Sequence, residues 1–478
     1  MAKFLGKQRR IIWARRIKGF WEEFSHNKIG LIGLAVVIIY AVVAILAPWL
    51  SPHDPISGWG LSGNYAMPEW MGILPQFRNL ARNVEPPCNW TVAEASPSIN
   101  VTKGGGDLVV RYTGDVTETI QSAKFIIPFM YPYEPPQKFH VLFKWQAVTV
   151  ENAEYSLELS MLNPAVWTPY PIWTSYLTEK AQFSDTDTTP KTVKVYPGTI
   201  RTALVEKWPF PRVFTDPGEY KLMLEMKFKS TSDATCEIHF KDTKIKAFGV
   251  LFGILGTDSL GRDIFSQTVH GARISLAVGL LAAFLSTGIG IAMGIIAGYV
   301  GSIADEFLMR LADILLCLPV LPLLLGLVMI FGTSVWYLVL LIAVFGWMGL
   351  SRMVRSRVLS LKEMPFTECA RAAGASRFYI MVRHMLPNVL PIALAAMVLS
   401  VPTAILTEAA ISFIGLGDPS TPTWGRMLHY AVGEGGFWHL AWWWFLPPGL
   451  AITLLTLSFV FIGHAVDEIV NPRLRRRR

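Results

Sequence analysis

Residues able to do bond chemistry are present in this 478-residue chain, but not at the spacings that chemistry requires. No H-E-x-x-H pair stands ready for zinc, no G-x-S-x-G presents a nucleophile, and no G-x-x-x-x-G-K-[ST] loop could cradle a nucleotide phosphate. The nine histidines are scattered, and the four cysteines (Cys88, Cys236, Cys317 and Cys369) include no C-x-x-C. The reading is therefore of no catalytic residue, no metal and no cofactor in this chain. The spacing that stands out is of another kind. Glu368-Cys369-Ala370-Arg371-Ala372-Ala373-Gly374 reads as a short helix rich in small residues and ended by glycine, and Leu386-Pro387-Asn388 is expected to stop a second helix. Ala370, Ala372, Ala373 and Ala375 leave room for another surface, while Gly374 can take a turn conformation that a Cβ disfavours. The stretch reads as a docking element; an amphipathic helix pair that merely caps a bundle is the alternative.

Whatever docks there must be held by the surrounding elements, and these are apolar. Hydrophobic residues make up 52% of the chain and charged residues 16%, against about 25% charged in typical soluble domains. The uncharged run 29–50 is long enough, at about 1.5 Å per residue, to cross a hydrocarbon core of about 30 Å. Further spans are predicted at 274–299, 311–331, 335–350, 389–414 and 446–463, six in all, which puts both termini on one side. Lys3, Lys7, Arg9, Arg10, Arg15, Arg16, Lys18 and Lys28 precede the first span, and Arg473, Arg475, Arg476, Arg477 and Arg478 follow the last. The segment 351–388 holds Arg352, Arg355, Arg357, Lys362, Arg371, Arg377 and Arg383. By the positive-inside rule all three segments are cytoplasmic, and the net charge of +8 is an orientation and lipid-headgroup signal, not a nucleic-acid footprint.

Residues 51–250 differ. Tyr155, Leu157, Leu159 and Met161 alternate with polar residues, as do Leu222, Leu224, Met226 and Phe228, with turn signals such as Gly104-Gly105-Gly106-Asp107 and Asp216-Pro217-Gly218 nearby. An extracytoplasmic β-sandwich inserted between the first two spans is predicted. Cys88 and Cys236 are its only cysteines; a disulfide between them is predicted, with two buried free thiols as the alternative. Trp167, Tyr170, Trp173 and Tyr176 read as packing or interface anchors before they read as a ligand platform.

The docking stretch resembles the EAA loop of ABC importer permeases of the dipeptide, oligopeptide and nickel group, carried by Glu368, Ala370, Gly374, Leu386 and Pro387, with Cys369 where the family has alanine. Gly256-Thr257-Asp258-Ser259-Leu260-Gly261-Arg262-Asp263, Glu408-Ala409-Ala410-Ile411-Ser412-Phe413-Ile414-Gly415-Leu416-Gly417, Thr423-Trp424-Gly425-Arg426-Met427 and Asn471-Pro472-Arg473-Leu474-Arg475 are similar to its other motifs, most closely to the C-type subunit. The resemblance covers 1–50 and about 256–478 and supplies no counterpart for the insert. It implies an α-helical polytopic membrane protein of the type I importer class: a cytoplasmic tail 1–28, a first span 29–50, the insert 51–250, a permease core 251–466 with its loop at about 361–388, and a tail 467–478. It also implies a homologous second permease, two cytoplasmic ATPase subunits that bind ATP-Mg, an extracytoplasmic substrate-binding protein, a lipid environment in the inner membrane, and peptide or a similar solute as cargo. Glu368 and Gly374 are then the docking residues, with Arg371 and Arg377 as rim contacts or ordinary positive-inside charge. A membrane-anchored receptor built on the β domain is the rival reading.

Polar residues in apolar spans need partners. Asp313, Glu408 and Ser412 are candidates for the pathway or a gate: Asp313 is expected first to pair with Arg310 one turn away, and Glu408 to serve in polar helix packing or a gate near the outer end before direct substrate contact. Pro319 and Pro322 should kink the third span, and Gly288, Gly290, Gly294 and Gly298 should give the second a face for close helix packing.

Overall fold

The computed structural model describes residues 18–104, 107–114, 120–163, 169–177, 201–207, 214 and 216–470. Trp167 and the basic residues Lys3 to Arg16 and Arg473 to Arg478 lie outside the described residues. The chain divides into two units, one of residues 1–58 with 263–478 and the other of residues 59–262, described in turn.

The first unit is helical: α1 (Lys28–Leu50), α2 (Ile264–Val300), α3 (Ser302–Cys317), α4 (Val320–Phe331), α5 (Val335–Gly346), α6 (Met348–Lys362), α7 (Pro365–Ala372), α8 (Arg377–Ile380), α9 (Leu386–Ile411), α10 (Trp424–Gly433) and α11 (Trp442–Val470). Side-chain caps set two of the starts: Asn27 Oδ1 accepts from Gly30 N–H at 3.0 Å, and Asp263 Oδ1 accepts from Phe265 N–H at 3.0 Å. Among the described residues, five helical stretches are long and apolar enough to cross a membrane: α1, α2, α5 with α6, 377–416, and α11. The helices α3 and α4 make a sixth when taken as one span, but they meet at 90°. The expected kink is thus a break, centred on Leu318 and Pro319, where Pro319 cannot continue the hydrogen-bond ladder and caps the next helix instead.

Two other expectations are corrected. Leu386-Pro387-Asn388 does not stop a helix, because the chain runs from α8 through a π turn at Met381–Met385 straight into α9. The wider turn lets Leu386 N–H bond Met381 O and places Pro387 in the first turn of α9, where its missing N–H costs little. The glycine face of α2 is real at Gly290, Gly294 and Gly298, whose Cα atoms lie against Leu350, Val354 and Val358 of α6, whereas Gly288 faces open space.

The second unit is built on two long antiparallel strands. Its strands are β1 (Thr91–Ala95), β2 (Ile99–Gly104), β3 (Asp107–Gly114), β4 (Gln121–Tyr131), β5 (Lys138–Leu162), β6 (Tyr170–Leu177), β7 (Arg201–Lys207) and β8 (Gly218–Phe248). The first half of β8 lies between β4 and the second half of β5; its second half lies between β3 and the first half of β5. Each half is extended outward, by β1 and β6 on one and by β2 and β7 on the other. The pairing slips where the halves meet, between Glu151 and Ala153. Apolar residues of both halves, among them Leu108, Phe125, Val141, Leu157, Leu224 and Ile238, bury into one core, as the period-two pattern requires. Tyr170 is exposed on β6.

No disulfide forms here. Cys88 and Cys236 are both free. Cys88 borders the same trough as Ile245, nine residues beyond Cys236 on β8, or about 30 Å at a strand rise of about 3.3 Å. A disulfide needs Cα atoms within about 7 Å. Burial raises the Cys88 thiol and pushes that of Cys236 up to about 12, so neither is a ready nucleophile at neutral pH. Maleimide should therefore label Cys369, exposed on α7, within minutes and Cys236 only after denaturation, with reductant making no difference. Mass spectrometry of the labelled chain checks this, and an oxidised Cys88–Cys236 peptide would refute it.

Candidate functional site

The stretch that reads as a docking element forms a helix–turn–helix with one face anchored. Pro365 starts α7, and Thr367, buried beneath it, donates its hydroxyl to Leu361 O at 2.8 Å. At the other end Gly374 takes φ +78°, and two bonds close the turn: Gly374 N–H to Arg371 O at 3.0 Å and Ala375 N–H to Ala370 O at 3.0 Å. This is the left-handed helix cap that glycine makes without strain. Ser376 Oγ then accepts from Tyr379 N–H at 3.2 Å and starts α8.

The anchored face is apolar. Ala370 and Ala375 pack against a cluster of Ile295, Tyr299, Val354, Val358, Ile380 and Met385, so these two alanines serve the chain's own core and not an incoming surface. Leu386 also borders that cluster, and Pro387 is exposed. Glu368, Arg371, Ala372, Ala373, Gly374 and Arg377 face outward. Beside them stand exposed apolar side chains that composition alone did not single out: Phe378, 71% exposed, with Met364, Phe366 and Tyr379. The signal was available as Phe378-Tyr379 flanked by basic residues. A charged rim around exposed aromatics, on a helix pair whose other side is fixed, is suited to receiving a protein surface.

Ion pairs tie α3 to the base of α6, which leads into this site. Arg355 Nη2 donates to Asp305 Oδ2 at 2.6 Å and its Nε to the other oxygen, a bidentate pair. Asp313 pairs with Arg352, not with Arg310, because Glu306 takes Arg310 at 2.6 Å one turn the other way. Arg355→Ala should lower solute uptake severalfold and thermal stability by about 1–2 kcal/mol. Charge exchange, Asp305→Arg with Arg355→Asp, should recover most of both, as proteoliposome uptake and thermal unfolding would show.

The residues read as helix-packing or gate candidates, Glu408 and Ser412, are both buried. Glu408 is 1% exposed and Ser412 equally buried, so neither lines an open surface of this chain. Ser412 Oγ donates to Glu408 Oε1 at 2.6 Å, and the Thr423 hydroxyl is a second partner. Thr423 Oγ1 also accepts from Arg426 N–H at 3.3 Å, capping α10, and Trp424 Nε1 donates to Thr268 O at 2.9 Å. Glu408 therefore fixes α10 onto α9. Glu408→Ala should cost about 1–3 kcal/mol by leaving the Ser412 and Thr423 O–H donors without their acceptor, and Glu408→Gln distinctly less, with solute preference unchanged in both.

Residues 290–476 match the family of binding-protein-dependent transport system inner membrane components, and residues 16–66 match the N-terminal transmembrane domain of oligopeptide transport permease C. Neither match reaches residues 67–289. The chain is similar to a putative peptide permease of Brucella suis, 40% identical over 46% of this chain and 72% of that protein. It is also similar to the dipeptide transport permease of Bacillus subtilis, 36% identical over 46% of this chain and 69% of that protein. Among solved structures, an inward-facing methionine ABC transporter aligns with 43% of this chain and 95% of its own at 20% identity and a TM-score of 0.34. On the strength of the sequence matches, this chain belongs to the family of binding-protein-dependent transport system inner membrane components.

Proposed function

We propose that this permease subunit of an ATP-driven importer forms half of a membrane pathway for peptides, pairs with a homologous permease, and rests on two cytoplasmic ATPase subunits through α7 and α8. The observation that carries the proposal is the anchored helix pair, whose outward face presents Glu368, Arg371, Gly374, Arg377 and Phe378 while Ala370, Ala375 and Leu386 hold it to the helices behind. The peptide permeases among its relatives support the cargo. The basic tails support cytoplasmic termini. With cytoplasmic termini the β domain follows a first span that runs outward, which supports an extracytoplasmic position, and the two strand layers sharing one core support a β-sandwich.

Bond chemistry then lies in the partners: ATPase subunits bind ATP and Mg and hydrolyse it, and a binding protein delivers solute. The work of this chain is mechanical. Closure of the ATPase dimer displaces α7; the apolar cluster behind Ala370 and Ala375 transmits the displacement to α2, α6 and α9, and the bundle rocks between access states. A rigid backing matters because a soft one would absorb the motion.

The native thiol of Cys369 sits on the outward face and offers a direct test. With Cys317→Ser removing the other exposed thiol, a bifunctional maleimide applied to native membranes should join this chain to an ATPase subunit. Recovery of an intact complex in which Cys369 reacts only with solvent-borne reagent would end the assignment of this face.

A further inference from the structure

Exposed apolar side chains of the second unit gather where its chain enters and leaves. Trp59, Trp70, Ile73 and Leu74 stand on the entering segment and Ile254 and Leu260 on the leaving one, with exposures from 43% to 82%. Charge is nearly absent around them. Glu69 is the one charged residue in 59–77, and 247–257 hold none.

These side chains do not stand on slack loops. Glu69 N–H donates to Gly253 O at 2.8 Å and Trp70 Nε1 to Ile254 O at 3.0 Å, which ties the 3₁₀ turn Glu69–Ile73 to the leaving segment. Gly60 N–H donates to Leu260 O at 3.1 Å and Leu61 N–H to Gly261 O at 3.0 Å, so the two ends of the unit meet. Buried groups brace them: Arg262 Nε donates to Asp258 Oδ2 at 2.6 Å, and the Thr257 hydroxyl to Gly63 O at 2.7 Å. Large apolar side chains held at the surface by a braced backbone mark a contact surface.

The chain itself selects what covers this lip. Trp59 is joined to Leu50, the last residue of α1, by the short connection 51–58, and Arg262 directly precedes Asp263, the cap of α2. Both helices are long and apolar enough to cross a membrane, and the exposed Trp49 and Leu50 carry apolar surface on the last turn of α1. Indoles among aliphatic side chains, with next to no charge, are the composition found at the headgroup level of membranes, whereas a protein interface adds a polar rim.

We propose that this lip is a foot of the β domain, seated in the headgroup layer of the leaflet on the side from which the domain projects. Trp59 and Trp70 lie among the headgroups, with Ile73, Leu74, Ile254 and Leu260 against the upper acyl chains. The occupant is zwitterionic phospholipid, because no cation stands in 59–77 to favour an anionic one. The seat requires only that α1 and α2 cross the bilayer, and is independent of the cargo and of the ATPase contact.

The test uses the full chain in phosphatidylcholine nanodiscs, with Cys317 and Cys369 changed to serine and an environment-sensitive fluorophore on Ile73→Cys. Glu154→Cys, at a position exposed on β5 opposite Lys229 and well along β8 from Phe248, carries the same label as the control. A nitroxide on the lipid headgroup should quench the label at position 73 about fivefold more than that at 154, with aqueous iodide acting in the reverse order. Leu74→Ser combined with Ile254→Ser should cut the lipid quenching severalfold, and because both side chains are exposed the melting temperature should hold. The same labels on the complex isolated from its native membrane and returned to nanodiscs should behave alike. Equal lipid quenching at the two positions, or quenching indifferent to the double substitution, overturns the seat. A label at position 73 shielded from both quenchers in the complex also overturns it, and gives the lip to a protein partner.

Discussion

Gly374→Val should reduce solute uptake at least tenfold while the chain still inserts and accumulates in the membrane at close to its normal level. The reason is conformational, not steric, since nothing lies within 4 Å of the position a Cβ would take, yet φ is +78°. A β-branched residue held there costs about 1–3 kcal/mol. The turn relieves that cost by giving up the bonds from Gly374 N–H and Ala375 N–H, 3.0 Å each, and with them the angle between α7 and α8. Glu368 and Phe378 then no longer share one face. Because asparagine tolerates this region better than alanine or valine, activity should fall in the order glycine, asparagine, alanine, valine. Uptake and solute-stimulated ATP hydrolysis in proteoliposomes would record the series; equal activity for glycine and valine would mean that the turn does not set the docking geometry.

Gly294→Leu should act in the opposite manner, on the amount of folded protein before any effect on rate. A Cβ at Gly294 would sit 2.6 Å from Ser351 O and 2.7 Å from Val354 Cβ, and one at Gly298 would sit 2.8 Å from Val358 Cβ. The first of these neighbours is backbone, so relief requires α2 and α6 to separate, and overpacking of this kind costs about 3 kcal/mol or more. For a helical unit of this size that corresponds to roughly 6–12 °C in Tm. Gly288→Leu, which meets open space, should be nearly silent and serves as the internal control. Val354→Ala in the Gly294→Leu background should return part of the loss; a Tm for Gly294→Leu equal to that of Gly288→Leu would show that the close approach carries no stability.

What the sequence made legible was whatever depends on local periodicity. Uncharged runs marked the spans, alternation marked β5 and β8, and Gly374 marked the end of α7, because each is decided by residues within a turn or a strand of one another. Features decided across space were missed. Arg310 is one turn from Asp313, but Glu306 is equally close on the other side, and Arg352, thirty-nine residues away, completes the pair. Pro387 looked like a stop because nothing in Leu386-Pro387-Asn388 announces the π turn before it. The two cysteines share a domain, yet β8 holds Cys236 far along its length from the segment that carries Cys88. For Glu408 the sequence left polar helix packing and a gate both open; Ser412 stands one turn away, whereas the Thr423 hydroxyl joins it only once α10 has folded back.

The long pairing of β5 with β8 sets the order in which the β domain can be made. Lys138 pairs with Phe248 and Leu162 with Lys221, so both layers await a strand that is synthesised last. Until residue 248 has emerged, the apolar faces of β3, β4 and β5 have no central partner, and closing so distant a ladder is slow. During biogenesis the domain thus passes through an interval in which unpaired, aggregation-prone strands are exposed. The rate of its maturation is therefore set by when β8 becomes available and how fast that distant ladder closes, not by the local propensity of any one strand.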